Sequence, residues 1–150
     1  MPVSEAFAES NRSQTERMRR LVARLDPAML AVRLPNGWTV AGALGHVAFW
    51  DRQRLCVMRR WAAGDFCSGA YDGDLFNETA QPLLEMIPPE RVAAAAVKTA
   101  EEIDAFLLEV SDEAVEAALA RPDAPNLDRG SHRVGHLDTI EKALSRAGYA

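Results

Sequence analysis

The stretch Gly130-Ser131-His132-Arg133-Val134-Gly135-His136-Leu137-Asp138-Thr139-Ile140-Glu141-Lys142-Ala143-Leu144 decides how the chain is read. It sets two of only three histidines four residues apart at the start of a predicted helix. At ~3.6 residues per turn and ~1.5 Å rise, His132 and His136 stand ~40° and ~6 Å apart on one helix face, a spacing at which two imidazoles can converge on one metal ion. Ile140, Ala143, Leu144 and Ala147 form the apolar face of the same helix, and both histidines fall on it, so they are expected to point inward. The predicted helix starts between Asp128 and Ser131, runs to about Arg146, and is closed by Gly148.

The third histidine, His46, lies about two turns into another predicted helix. Leu34-Pro35-Asn36-Gly37-Trp38 has turn chemistry, and Thr39 is a good N-cap for a helix from Val40 to about Ala63. On that helix Val40, Ala43, Leu44, Val47, Leu55, Met58 and Trp61 share a side, with His46, Trp50 and Val57 at its edge. Asp51 and Arg54 fall inside the apolar arc and read as an i,i+3 ion pair near the core. If one ion joins the three histidines, both helices must begin at the same end of the molecule.

Two further long helices complete the pattern. The first is expected from Ser4 to about Leu25, stopped by Asp26-Pro27, with an apolar stripe of Phe7, Met18, Leu21, Val22 and Leu25 that Asn11 and Gln14 interrupt. The other carries Val92, Ala96, Thr99, Ile103, Phe106 and Val110 at intervals of four and three. Between Gly64 and Pro89 the pattern is irregular: Gly64, Gly69 and Gly73 open a loop, and a short helix is expected from Asp74 to Met86. This connection is long enough to cross over a bundle. Ser111 to Leu119 adds a short capped segment, and Arg121-Pro122-Asp123-Ala124-Pro125-Asn126 is a loop.

The bulk properties agree with one helical domain spanning residues 1–150. The chain is 48% hydrophobic and 26% charged and poor in aromatic residues, which argues against disorder and against a β-sandwich. A net charge of −5 and the lack of a basic stripe argue against a general nucleic-acid binder. The N-terminal stretch Met1 to Ser10 lacks the basic and apolar regions of a secretory signal, and no window is apolar enough to span a bilayer, so a cytoplasmic protein is expected. Cys56 and Cys67 fit a reduced protein better than a disulfide scaffold.

Three histidines on one ion leave coordination positions free for water or substrate, as catalytic sites require. The same spacing also serves three histidines that merely hydrogen-bond at a core edge. Gly42 and Gly45 beside His46, and Gly135 before His136, suggest close approach of the two histidine-bearing helices. Arg129 and Arg133, near two helix N-termini, would make the pocket hospitable to a thiolate or carboxylate, or would simply be solvated. Trp38 and Trp50 read as packing groups.

The stretch Pro35-Asn36-Gly37-Trp38-Thr39-Val40 through Leu44-Gly45-His46-Val47-Ala48-Phe49-Trp50-Asp51, with His132-Arg133-Val134-Gly135-His136-Leu137 and Asn77 between them, resembles the DinB/YfiT-like superfamily. The resemblance implies an all-α four-helix bundle with a long central crossover connection, often a homodimer, holding a divalent metal on His46, His132 and His136. It also implies a small-molecule substrate and a thiol-dependent S-transferase using a low-molecular-weight thiol such as mycothiol or bacillithiol. The alternatives are a metal-dependent hydrolase and a non-catalytic metal-containing binding or protection protein. Mycothiol-dependent maleylpyruvate isomerases are similar in their N-terminal part but carry a further C-terminal domain beyond it, so that particular reaction is not among those expected from the resemblance. All-nitrogen ligation suits Zn²⁺, Ni²⁺ and Fe²⁺ alike.

Overall fold

Local capping chemistry fixes where most helices start. The computed structural model describes residues 3–67 and 71–149; Gly69, expected to help open the central loop, and the Met1-Pro2 start of the N-terminal stretch lie outside them. Among the described residues all extended secondary structure is helical: a 3₁₀ turn at Val3–Ala6, then α1 (Ala8–Ala23), α2 (Pro27–Leu30), α3 (Val40–Ala62), α4 (Gly73–Leu84), α5 (Pro89–Glu109), α6 (Asp112–Leu119) and α7 (Arg129–Arg146). Thr39, Asp72, Ser111 and Asp128 each accept a hydrogen bond from a first-turn amide of the helix that follows.

The first helix is not continuous from Ser4. Phe7, at φ −120° and ψ 0°, separates the 3₁₀ turn from α1. Asp26-Pro27 does end α1, but Asp26 then caps the one-turn α2, with Pro27 in its first turn, so the expected linker is partly helical. The central helix also starts one residue earlier and stops two residues sooner than its sequence suggests.

The long helices α1, α3, α5 and α7 share the interior, with α3 packed most extensively on α5, and α1 on both α5 and α7. Their apolar contacts divide into two clusters. One joins Met18 and Leu21 of α1, Val40 to Val47 of α3, Ala93 to Ala100 of α5 and Leu137 to Leu144 of α7. The other joins Leu55, Met58 and Trp61 of α3, Ile103 and Leu107 of α5, Val115 and Ala118 of α6, and Leu127. Between them lies a polar layer to which every long helix contributes: Asn11 and Thr15 from α1, Asp51 from α3, Asp104 from α5, and Arg129 and Arg133 from α7. Asn11, at 2% exposure, therefore does not interrupt the inward face of α1; it supplies that face with a polar group.

The close helix approach is also displaced from its expected place. A Cβ at Gly135 would meet nothing within 4 Å, and one at Gly45 would press on Val92 and Leu84 of α5 and α4, not on α7. The tight crossing is at Gly130, where a Cβ would stand 2.1 Å from Ser10 Oγ and 2.4 Å from the Ser10 carbonyl oxygen. No described helix is long and apolar enough to cross a membrane. Cys56 and Cys67 are free thiols.

Candidate metal centre

His46 is set by the turn that precedes α3. Gly37, at φ +87°, allows the chain to double back, so that Leu34 N–H donates to the Trp38 carbonyl and Thr39 reaches the amide of Gly42. Two turns on, His46 emerges 7% exposed beside Trp38, with ring centroids 5.0 Å apart. The other pair is set by the start of α7. Asp128 caps Ser131, the Asn11 amide oxygen accepts from Gly130 N–H at 2.8 Å, and its amide nitrogen donates to the Leu127 carbonyl at 3.1 Å. The register that results places His132 and His136 against His46.

The three rings converge, with centroids 4.5 Å apart for His46 and His136, 5.3 Å for His46 and His132, and 4.8 Å for His132 and His136. One ring nitrogen from each lies within 4.8 Å of the others. His132 and His136 are half-buried and sit at the edge of the inward face of α7, which is carried by Arg133, Leu137, Ile140 and Leu144. Ala147, expected on that face, is exposed.

Burial, reinforced by neighbouring positive charge, keeps these imidazoles neutral. His46 is held down to about 4 from the usual 6.5, first by desolvation and then by His136 and Arg129, with Asn77 acting in the opposite sense. His132 falls to about 2 through desolvation, Arg129 and the two other rings, and His136 is lowered by desolvation and Arg129. Three neutral nitrogen donors within reach of one point fit a borderline divalent ion. One adjustment accompanies the fit. Arg129 Nη2 lies 3.0 Å from His132 Nδ1, and because a guanidinium only donates, Nδ1 is the acceptor and the ring proton sits on Nε2. His132 can ligate only once Arg129 releases that nitrogen.

Arg129 is held by Asp51, not by the solvent. The Asp51 carboxylate, 0% exposed, accepts from Arg129 Nε at 2.8 Å and from Arg133 Nε at 2.9 Å. The expected Asp51–Arg54 pair is therefore absent, because both carboxylate oxygens point across to α7. Arg133 turns away from the histidines: its remaining nitrogens donate to Asp104, Thr15 and the Asn11 carbonyl, so it offers nothing to a ligand in the pocket. Arg54 instead lies against both Trp50 and Tyr71, with its guanidinium carbon 5.0 and 4.7 Å from their ring centroids, and hydrogen-bonds the Tyr71 hydroxyl and Gln53.

These groups line a cavity of about 370 Å³ that opens beside His46 and His132 and is walled by Trp50, Arg54, Tyr71, Asn77, Asn126 and Arg129. Trp50 is a packing group and a pocket wall at once: it is 5% exposed, and its indole N–H donates to Asn77 Oδ1 at 2.8 Å. A cavity of about 460 Å³ between α1 and α5 holds no histidine. Tyr71, Arg54 and the Asp51 clasp were not recognised as site components in the sequence. A signal existed for Arg133, which continues the stripe Leu137, Ile140, Leu144 at helical spacing and so belongs inside.

The architecture and the histidine cluster agree with what comparison with known families returns. Residues 11–138 match the family model described as the DinB superfamily, a span that takes in His46, His132 and His136. No curated protein and no solved structure gives a significant match. With the family model covering most of the chain and all three converging histidines, the protein belongs to the DinB superfamily.

Proposed function

We propose that the protein is a metal-dependent enzyme acting on a small molecule, with His46, His132 and His136 as the ligands of one divalent ion. The observation that carries this is the convergence of three neutral imidazoles beside a cavity of small-molecule size. Zn²⁺, Ni²⁺ and Fe²⁺ all suit the donor set, and such an ion would supply Lewis acidity, able to lower the pKa of a bound thiol or water. The finer reading is an S-transferase in which a low-molecular-weight thiol such as mycothiol or bacillithiol attacks a small electrophile.

The chain's own groups have separable tasks in this reading. His46 is fixed by Trp38 on one side and the Trp50–Asn77 pair on the other. Arg129, anchored by Asp51, gates His132 by holding or releasing its Nδ1. Trp50 and Tyr71 exclude water from one wall of the cavity, where a thiolate or other anion would be stabilised by Arg129.

We further propose that α1, α3, α5 and α7 form a single-domain DinB-type four-helix bundle with residues 63–88 as its long crossover, and that the protein is a cytoplasmic homodimer. Exposed apolar side chains at Leu83, Met86 and Ile87 support an interface near the end of α4. Sedimentation as a monomer at micromolar concentration would count against the dimer.

The test of the metal reading is elemental analysis of untagged protein, native and with His46→Ala or His132→Ala. Near-stoichiometric metal in the native chain, lost in both variants, is the expected result. No metal after reconstitution with Zn²⁺, Ni²⁺ or Fe²⁺ would overturn it. Metal-dependent consumption of a thiol with a generic haloarene electrophile then tests the transfer reaction, and metal-bound protein that only binds ligand stoichiometrically would reject it.

A further inference from the structure

Arg54 is a buried cation without a counter-anion. It is 6% exposed, and among the described residues no carboxylate lies within ion-pair distance of it. Asp51, the one buried acid among the described residues, is already shared by Arg129 and Arg133, and Asp74 at the cavity rim is exposed. The Arg54 Nε is buried with no hydrogen-bond partner among the described residues. A buried charge in this condition is costly, and a fold normally neutralises it with a paired acid.

The imbalance extends over the whole layer. Arg129 and Arg133 are matched by Asp51 and the partly buried Asp104, so Arg54 leaves an excess of one positive charge, before any divalent ion is added. Arg54 and Arg129 both line the cavity beside His46 and His132, whose one lining acid among the described residues, Asp74, is exposed at the rim, so the positive charge dominates the buried part of the cavity. Trp50 and Tyr71, tilted against each other with ring centroids 4.8 Å apart, offer an aromatic wall next to it.

We propose that this cavity binds the oxyanion group, carboxylate or phosphate, of a small organic molecule, with Arg54 and Arg129 as its countercharges and Trp50 and Tyr71 against its carbon skeleton. The inference deepens the reading of this cavity as the substrate site, and it names the substrate class as anionic. Arg54 is a binding residue in it, kept unpaired by the fold so that the ligand completes it.

The experiment compares succinate, its neutral diamide and methyl phosphate as probes, by calorimetry and by thermal shift, on native protein with and without zinc and on Arg54→Met and Arg54→Lys. Succinate or methyl phosphate is expected to bind and raise the melting temperature of the native chain dose-dependently, with the diamide inert. Whichever anion binds more tightly identifies the head group. Arg54→Met is expected to fold with an unchanged or higher melting temperature, to keep its zinc, and to lose at least tenfold in anion affinity; Arg54→Lys falls between and carries the test should Arg54→Met not fold. Equal anion binding in native and variant proteins, no stabilisation by either anion, or equal binding of the diamide overturns the inference. Zinc binding without Arg54-dependent anion binding rejects this inference alone. Arg54-dependent anion binding without zinc rejects only the metal reading.

Discussion

Replacing Asp51 by Asn isolates the charge of the clasp, because the side chain keeps its shape and one oxygen acceptor. Arg133 would still hold Asp104 at 2.9 Å, but Arg129 would be left with neutral partners alone: the one amide oxygen if it faces Nε, the Asn126 carbonyl at 3.3 Å and the His132 nitrogen at 3.0 Å. Arg129 is 1% exposed, so its charge would be left uncompensated in the interior. Breaking a buried pair from one side typically costs about 3–5 kcal/mol. Against a total stability of about 5–15 kcal/mol that is a large share, and at about 2–4 °C per kcal/mol for a chain of this size it corresponds to a melting temperature about 6–20 °C lower. Urea denaturation followed by circular dichroism measures the loss. A second variant, Asp51→Leu with Arg129→Met, removes both charges and leaves Arg133 on Asp104, and it should regain at least half of what Asp51→Asn loses. Asp51→Asn within about 1 kcal/mol of the native protein, or a double variant no more stable than the single one, would refute the argument from charge.

Three other expectations follow from the same geometry. Gly130→Ala should destabilise by more than about 2 kcal/mol, since its Cβ would meet Ser10 backbone at 2.4 Å, whereas Gly135→Ala, in open space inside α7, should stabilise by about 0.5–1 kcal/mol; thermal melts showing the reverse order would contradict the placement of the α1–α7 crossing. Because His46 titrates at about 4 in the folded chain and near 6.5 when unfolded, the unfolded state binds more protons between those values; stability is fully present above pH 6.5 and falls as pH drops toward 4, by up to about 1.4 kcal/mol per pH unit for each such histidine. Urea melts at pH 7.5 and 5.0 should show this loss in metal-free protein and a smaller one in His46→Gln, and identical pH profiles for the two would count against it. Stripping zinc from the loaded protein should lower its melting temperature, as RT ln(1 + [L]/Kd) requires of any ligand bound only when folded, while the same treatment of His136→Ala should change nothing.

Much of the site was legible because histidine is rare in this chain and helical spacing is strict. His132 and His136 could be placed on one face, and the turn at Asn36-Gly37 with the Thr39 cap fixed the start of α3 and hence the height of His46. What could not be read was which polar groups meet. Periodicity reports the face a residue occupies, not its partner, so Asp51 was matched with its neighbour Arg54 although its partners stand on another helix. Asn11 looked like a break in an apolar stripe for the same reason: a buried amide and a solvated one are identical until the groups that satisfy it are in view. Glycine gave a similar ambiguity. Gly135 and Gly130 are both helical, and only the position of Ser10 distinguishes them.

The polar layer also bears on the order in which the chain can finish folding during synthesis. A nascent chain that has reached Leu119 already contains α1, α3, α5 and α6, and thus most members of both apolar clusters. Yet Asn11 still waits for the Leu127 carbonyl and the Gly130 amide, and Asp51 for two arginines of α7. Such a chain can collapse, but it buries an unpaired carboxylate and an unpaired amide when it does, so the compact state is penalised until α7 arrives. The layer thereby works as a completion check: the helix that closes it is also the one that delivers His132 and His136, and the interior becomes stable at the moment the three histidines meet.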